Sequence, residues 1–318
     1  AMDHQGAMQL LDQIRRNMES CIYGKKDEIA WMLTALLAGG HVLIEDVPGT
    51  GKTQMVKALA LSVGGVFHRI QCNPDLLPTD ITGVSIYHPK QEEFVFRPGP
   101  VMANLLLADE INRATTKTQS ALLEAMEERR VSVDGQTHQL PQPFMLFATQ
   151  NPIDFEGTYS LPEAQLDRFL MKIKLGYPDE MSEKRLILEP NATRAAESLK
   201  AVASVEDIAQ MQKLAEAIHL DASVADYLIA LIRGTRNHSS VLLGASPRAA
   251  VALASAAKAY AFLQHRAFVI PDDVKAMAPL VLSHRIHLRS EARMQGSTTA
   301  NVLQDVLRNL PVPVGLER

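Results

Sequence analysis

Eight consecutive residues, Asp46-Val47-Pro48-Gly49-Thr50-Gly51-Lys52-Thr53, follow a short apolar run and open a helical pattern. Glycines ahead of a Lys-Thr pair let backbone N–H groups turn inward onto phosphate oxygens. The helix that starts there adds a dipole favourable to the same anion. In that arrangement Lys52 neutralises the outer phosphates and Thr53 offers a hydroxyl to Mg2+. The common spacing of such loops places glycine where Asp46 stands, so the entry to this turn departs from it. A glycine-rich turn that merely precedes Lys-Thr is the plainer reading, and the strand-loop-helix context argues against it.

A second grouping is Leu105-Leu106-Leu107-Ala108-Asp109-Glu110. Two acids at the end of a buried apolar strand are costly unless they serve a cation or a chemical step. Successive strand residues point to opposite faces, so the two carboxylates have different tasks. Asp109 suits Mg2+ through its water shell, and Glu110 suits polarisation of an attacking water. A third grouping, Phe144-Met145-Leu146-Phe147-Ala148-Thr149-Gln150-Asn151, is a buried strand with a polar tip. In a sheet whose phosphate loop lies at the same strand ends, Asn151 reaches the γ-phosphate and the lytic water. The plainer reading of Asn151 is a turn residue before Pro152.

These residues need a scaffold, and the first half of the chain supplies its pattern. Apolar runs at 41–44, 66–70, 105–108, 144–148 and 170–175 predict strands, with helices over 52–61 and 118–128. Short continuous apolar strands separated by helices imply a parallel sheet covered on both faces. Residues 83–96 predict an inserted hairpin, and Asp134-Gly135 predicts the turn of a second one. From residue 180 onward the pattern is helical, with no strand signal. The organisation expected is therefore an α/β core over residues 1–190 and an all-α lid over 191–318.

In order and in wording these segments resemble the MoxR family of AAA+ ATPases. The resemblance rests on Glu45-Asp46-Val47-Pro48-Gly49, on Asp109-Glu110-Ile111-Asn112-Arg113-Ala114, and on the stretch from Gln119 to Glu127. It extends through Gly157-Thr158-Tyr159-Ser160-Leu161-Pro162-Glu163-Ala164-Gln165-Leu166-Asp167-Arg168-Phe169. That family usually carries the Glu-Asp pair ahead of its phosphate loop, which accounts for Asp46. The resemblance implies an AAA+ sheet domain with a helix 2 insert hairpin, followed by an all-α lid. It gives Asn151 the sensor 1 position, Arg168 the arginine finger acting on a neighbour's ATP, and Arg248, in Gly244-Ala245-Ser246-Pro247-Arg248, the sensor 2 position. Since the lid of this clade is displaced, Arg248 acts in cis or across a subunit boundary. Arg113 is a further interface candidate.

The resemblance further implies Mg-dependent ATP hydrolysis by a homo-oligomeric ring, hexameric by analogy. That turnover would drive chaperone-like remodelling or maturation of a protein partner, with a von Willebrand factor A domain protein as the companion. A nucleotide-gated protein-binding switch with little sustained turnover is the alternative. The arginines also have an elementary rationale: phosphoryl transfer spreads charge over equatorial oxygens, and a guanidinium supplied in trans accelerates it by about 10³ to 10⁵. Their plainer reading is local ion pairing.

Composition narrows the field. The 318 residues are 47% hydrophobic and 21% charged, which suits a packed core. A net charge of −4 and isolated basic pairs disfavour nucleic acid as a partner. No run approaches the ~18 apolar residues of a membrane span, so membrane insertion is not expected. Cys21 and Cys72 are too few for a disulfide framework and fit a reducing compartment, which makes the cytoplasm the default reading. His284 and His287 lie three apart but lack acidic partners for a metal site.

Overall fold

The computed structural model describes residues 2–46, 51–151, 159–191 and 195–314. Val47, Pro48, Gly49 and Thr50, together with the side chain of Asp46, lie outside the described residues.

Helices α1 (His4–Glu19) and α2 (Lys26–Leu37) precede strand β1 (Val42–Asp46). Then come α3 (Lys52–Ser62), β2 (Phe67–Gln71) and α4 (Pro78–Thr82). A hairpin follows, β3 (Gly83–His88) with β4 (Glu93–Pro98), before β5 (Leu105–Asp109) and α5 (Thr116–Glu128). A second hairpin, β6 (Arg130–Val133) with β7 (Gln136–Gln139), leads to β8 (Met145–Gln150), the short α6 (Glu163–Leu166) and β9 (Met171–Leu175).

Strands β2, β5, β8, β1 and β9 form one parallel sheet in that spatial order. Parallel pairing requires crossovers, which place helices on both faces. The alternation of side chains sorts accordingly. Val42, Ile44, Leu105, Leu107 and Phe147 face one core with α1, α2 and α3. Leu43, Leu106, Ala108 and Leu146 face the other, where Leu122, Leu123 and Met126 of α5 cover them. Central β5 is buried along its whole length, which is why it reads as an unbroken apolar run rather than an alternation.

Beyond the sheet the chain continues through α7 (Glu180–Leu188), α8 (Val205–Glu216), α9 (Ala222–Asn237), β10 (Val241–Leu243) and α10 (Pro247–Leu263). It ends with α11 (Pro271–Leu282), β11 (His287–Leu288), α12 (Ser290–Met294) and α13 (Thr299–Arg308). The expectation of helices alone needs one correction, because β10 and β11 pair antiparallel in a small ribbon. Three and two residues are too short to carry a period-2 signal. Ser204 and Asp207 form a reciprocal cap at the start of α8, and the Ser246 hydroxyl accepts from Ala249 N to start α10 behind Pro247. Apolar residues of α9, α10 and α11 belong to the same core as α1 and α2, so the helical region is seated on the N-terminal helices.

The inserted hairpin pairs antiparallel, Gly83 opposite Pro98 and His88 opposite Glu93. At Gly83, φ is +100° and a Cβ would meet the Arg97 carbonyl oxygen, so only glycine opens this ribbon. The second hairpin turns at Asp134 and Gly135, both with positive φ, as a two-residue turn of right-handed strands requires.

Candidate functional site: two ends of one sheet

Because the five strands are parallel, their carboxyl ends gather at one end of the sheet. Asp46, Gln71, Asp109, Gln150 and Leu175 close the strands there. Gly51, at φ +80°, caps α3 at the same end and leads into Lys52 and Thr53, the first two residues of the helix. Asn151 follows directly on β8.

Asp109 is the hub of this carboxylate end. Its side chain is 4% exposed, and the Lys52 Nζ stands 3.4 Å from Oδ1. Arg69 donates to Oδ2 through Nε at 2.9 Å and Nη2 at 2.5 Å, and the Thr149 hydroxyl donates to Oδ1 at 2.9 Å. Burial opposes the charge of Asp109, but the Arg69 hydrogen bonds, the Lys52 charge and the Thr149 hydroxyl together hold its pKa below the ordinary carboxylate value. An ionised acid beside a lysine and a helix N-terminus is what an Mg-phosphate complex needs. Asp109 and the Thr53 hydroxyl are hard oxygen donors. Among the described residues no group of three or more His, Cys, Asp or Glu side chains could cage a metal. Two hard oxygen donors beside a lysine fit Mg2+ held partly by phosphate.

Glu110 sits at φ +52° and ψ +55°, a left-handed conformation that costs a non-glycine residue about 1 kcal/mol. Its N–H donates to the Thr149 hydroxyl at 2.9 Å, so Thr149 ties the two acids together. Gln71 Nε2 and Arg113 Nη1 donate to its Oε2 at 3.4 and 3.3 Å. Arg113, an interface candidate from sequence, therefore lies beside its own chain's Glu110. Behind the acids, Cys72 N donates to the Asp109 carbonyl at 3.0 Å. Burial, then the charges of Asp109 and Glu110, push the Cys72 thiol up to about 12, and burial also raises Cys21.

The other two predicted residues are not here. Arg168 follows α6 and precedes β9, at the amino end of the strands, and Arg248 is the second residue of α10. They meet at Glu127, near the end of α5. Arg168 Nε stands 3.0 Å from Oε2, and Arg248 Nη2 stands 3.1 Å from Oε1. Below them Arg285 donates from Nε to Asp167 Oδ1 at 2.8 Å and from Nη2 to the Asp167 and Phe169 carbonyls. Arg129 closes the floor by donating to the Gly39 and Phe144 carbonyls. A cleft of about 290 Å3 opens over Gly40, Glu127, Arg129, Arg168 and Arg248. The structure thus brings Lys52, Asp109 and Glu110 together and separates them from Arg168 and Arg248 by the length of the sheet. Five residues of strand span about 16 Å.

Arg69, Gln71 and Glu127 have no role in the sequence reading of the site, which includes Thr149 only in the polar tip of its strand and Asp167 only as a local ion-pair partner of Arg168. A basic residue within a strand, as Arg69 is in Phe67–Gln71, was the one local signal available. Glu127 lay inside a stretch quoted for its resemblance, with nothing to say what it touches.

Parallel sheet, phosphate-loop helix and strand-end carboxylates are the parts of a P-loop nucleotide-binding protein. Residues 41–171 match the ATPase family associated with various cellular activities, and residues 233–306 match the AAA lid domain. Chaperone MoxR1 of Mycobacterium tuberculosis is 44% identical over 92% of this chain and 79% of its own. The chain belongs to the MoxR family of AAA+ ATPases. It is also 50% identical to the protein YeaC of Bacillus subtilis, over 96% of this chain and 95% of that one. A crystal structure from Cytophaga hutchinsonii superposes with a TM-score of 0.92 at 38% identity, covering 98% of this chain and 97% of that one.

Proposed function

We propose that this protein hydrolyses Mg-ATP in a homo-oligomeric ring, hexameric by family analogy, in which the carboxylate end of one protomer meets the arginine end of the next. Residues 1–190 bind nucleotide and 191–318 form the lid. The loop from Asp46 through Gly51 cradles the phosphates, Lys52 neutralises them, and Asp109 with Thr53 would hold Mg2+, which offsets phosphate charge. Glu110 polarises the lytic water, and Asn151 orients it. Arg168 and Arg248 reach the triphosphate in trans.

The observation that carries this reading is the separation of charges. Two arginines are held together at the sheet end that the chain's own phosphate-loop helix does not share. A head-to-tail contact between copies brings both half-sites together, and such contacts close into rings. The turnover serves chaperone-like remodelling or maturation of a partner in the cytoplasm, with a von Willebrand factor A domain protein as companion. A second reading, a nucleotide-gated switch with little turnover, draws on the Arg69 clamp that already occupies Asp109.

Steady-state hydrolysis under assembling conditions tests both. Glu110→Gln should bind ATP and lose about 10² to 10⁴ of turnover, the usual worth of a positioned base. Lys52→Ala should lose binding itself. Equal, slow hydrolysis by wild type and Glu110→Gln would favour the switch.

A further inference from the structure

Glu127, near the end of α5, is where Arg168 and Arg248 meet. Each of its oxygens takes one guanidinium, Oε2 that of Arg168 and Oε1 that of Arg248. One arginine precedes the last sheet strand and the other begins a lid helix, so a single carboxylate joins residues from two parts of the chain.

We propose that Glu127 is a positioning residue, which sets Arg168 and Arg248 as one preorganised pair for the triphosphate of a neighbouring copy. The proposal rests on the ring reading. The nitrogen of Arg168 nearest the carboxylate is Nε, at 3.0 Å, and a guanidinium presents its N–H donors in a planar fork that matches phosphate oxygens. The three side chains are 41%, 27% and 57% exposed for Glu127, Arg168 and Arg248. Ion pairs so open to water add little to folding, so holding the fold together does not explain this arrangement. What it does fix is direction, and a guanidinium held in place before reaction loses less on meeting its anion.

The helix that carries Glu127 is itself tied to the chemistry at its other end. Gln119 is 2% exposed, and its amide donates to the carbonyls of Ile111, Ala114 and Tyr159 at 3.2, 3.0 and 2.9 Å. Ile111 directly follows Glu110. Eight residues of helix, about 12 Å, separate Gln119 from Glu127. One rigid element thus sets the turn beside the protomer's own catalytic acid and the arginines offered to its neighbour.

Subunit mixing tests the proposal. Glu127→Gln alone should lower turnover about tenfold, part of the ~10³ to 10⁵ that trans arginines supply. ATP binding should stay within about twofold, because the change lies at the far end of the sheet from the nucleotide. Glu127→Asp, one methylene short of spanning both guanidinia, should fall between. Mixed with Glu110→Gln protomers, which keep an intact arginine end, Glu127→Gln should hydrolyse faster than either variant alone. Arg168→Ala mixed with Glu110→Gln is the reference.

If the Arg168→Ala mixture recovers and the Glu127→Gln mixture does not, the proposal is overturned and the ring reading stands. Wild-type or faster turnover by Glu127→Gln overturns it equally, since the carboxylate would then be a cover and not a guide. Failure of the Arg168→Ala mixture removes the ring reading and the proposal with it. Should Glu127→Gln fold poorly by circular dichroism, Glu127→Asp in the same mixture decides.

Discussion

The two ends of the sheet handle charge in opposite ways. At the carboxylate end Asp109 is buried, both its oxygens are engaged, and Glu110 is held in a left-handed backbone conformation by its link to Thr149. At the arginine end Glu127, Arg168 and Arg248 come from α5, the β9 approach and the lid, and their ion pairs are partly open to water above the buried Arg285. Buried, multiply bonded charges are expensive to rearrange, whereas exposed pairs exchange partners at little cost. The first end is built to keep its geometry and the second to trade partners.

The sharpest way to break that contrast is Arg168→Ala. Turnover in assembled protein should fall by about 10³ or more, the lower bound for a trans arginine, with nucleotide affinity unchanged. Calorimetric titration with ATP beside a turnover assay separates the two effects, and a matching loss of affinity would place Arg168 at its own chain's nucleotide. An intermediate effect is expected from Arg69→Ala. Removing the cation that holds Asp109 ionised raises its pKa, so the acidic limb of the kcat/KM profile should move to higher pH. An unmoved limb would mean that Lys52 and Thr149 suffice.

The smallest effect concerns the footing of the arginine end. Burial, reinforced by the Arg285 charge, lowers the pKa of His284 to about 3, and burial with the Arg129 charge does the same for His41. Both are neutral in the fold, while the unfolded chain binds a proton at each near the ordinary value of 6.5. Stability is therefore full above about pH 6.5 and falls as pH drops toward 3, by about 1.4 kcal/mol per pH unit for each histidine. Thermal melts from pH 7 to 5 should show that slope, and His284→Asn should reduce it by about half.

Most of the sheet was legible in the sequence because its central strands are buried on both faces and flanked by glycine and polar turns. Observed and expected boundaries differ by only a residue or two, as at β2, expected over 66–70 and found at Phe67–Gln71. Ala7, Leu11, Ile14 and Met18 carry the helical spacing that would have marked α1. Lys52, Asp109 and Glu110 were legible because each sits where a strand ends or a helix begins, a position that local pattern reveals. Glu127 was not, since its meaning comes from Arg168, 41 residues later, and Arg248, 121 residues later. Arg69 was hidden in the same way, because pairing of β2 with β5 sets it beside Asp109.

The cysteines have a practical consequence. Thiolates react with alkylating reagents and neutral thiols hardly do, so a sulfhydryl raised to about 12 stays silent near neutral pH while the protein is folded. Cys21 is buried as well, with its ionisation also suppressed. A single cysteine introduced on the open face of α10 would then take a fluorophore selectively in the otherwise native sequence, giving a direct optical test of whether copies dock against one another.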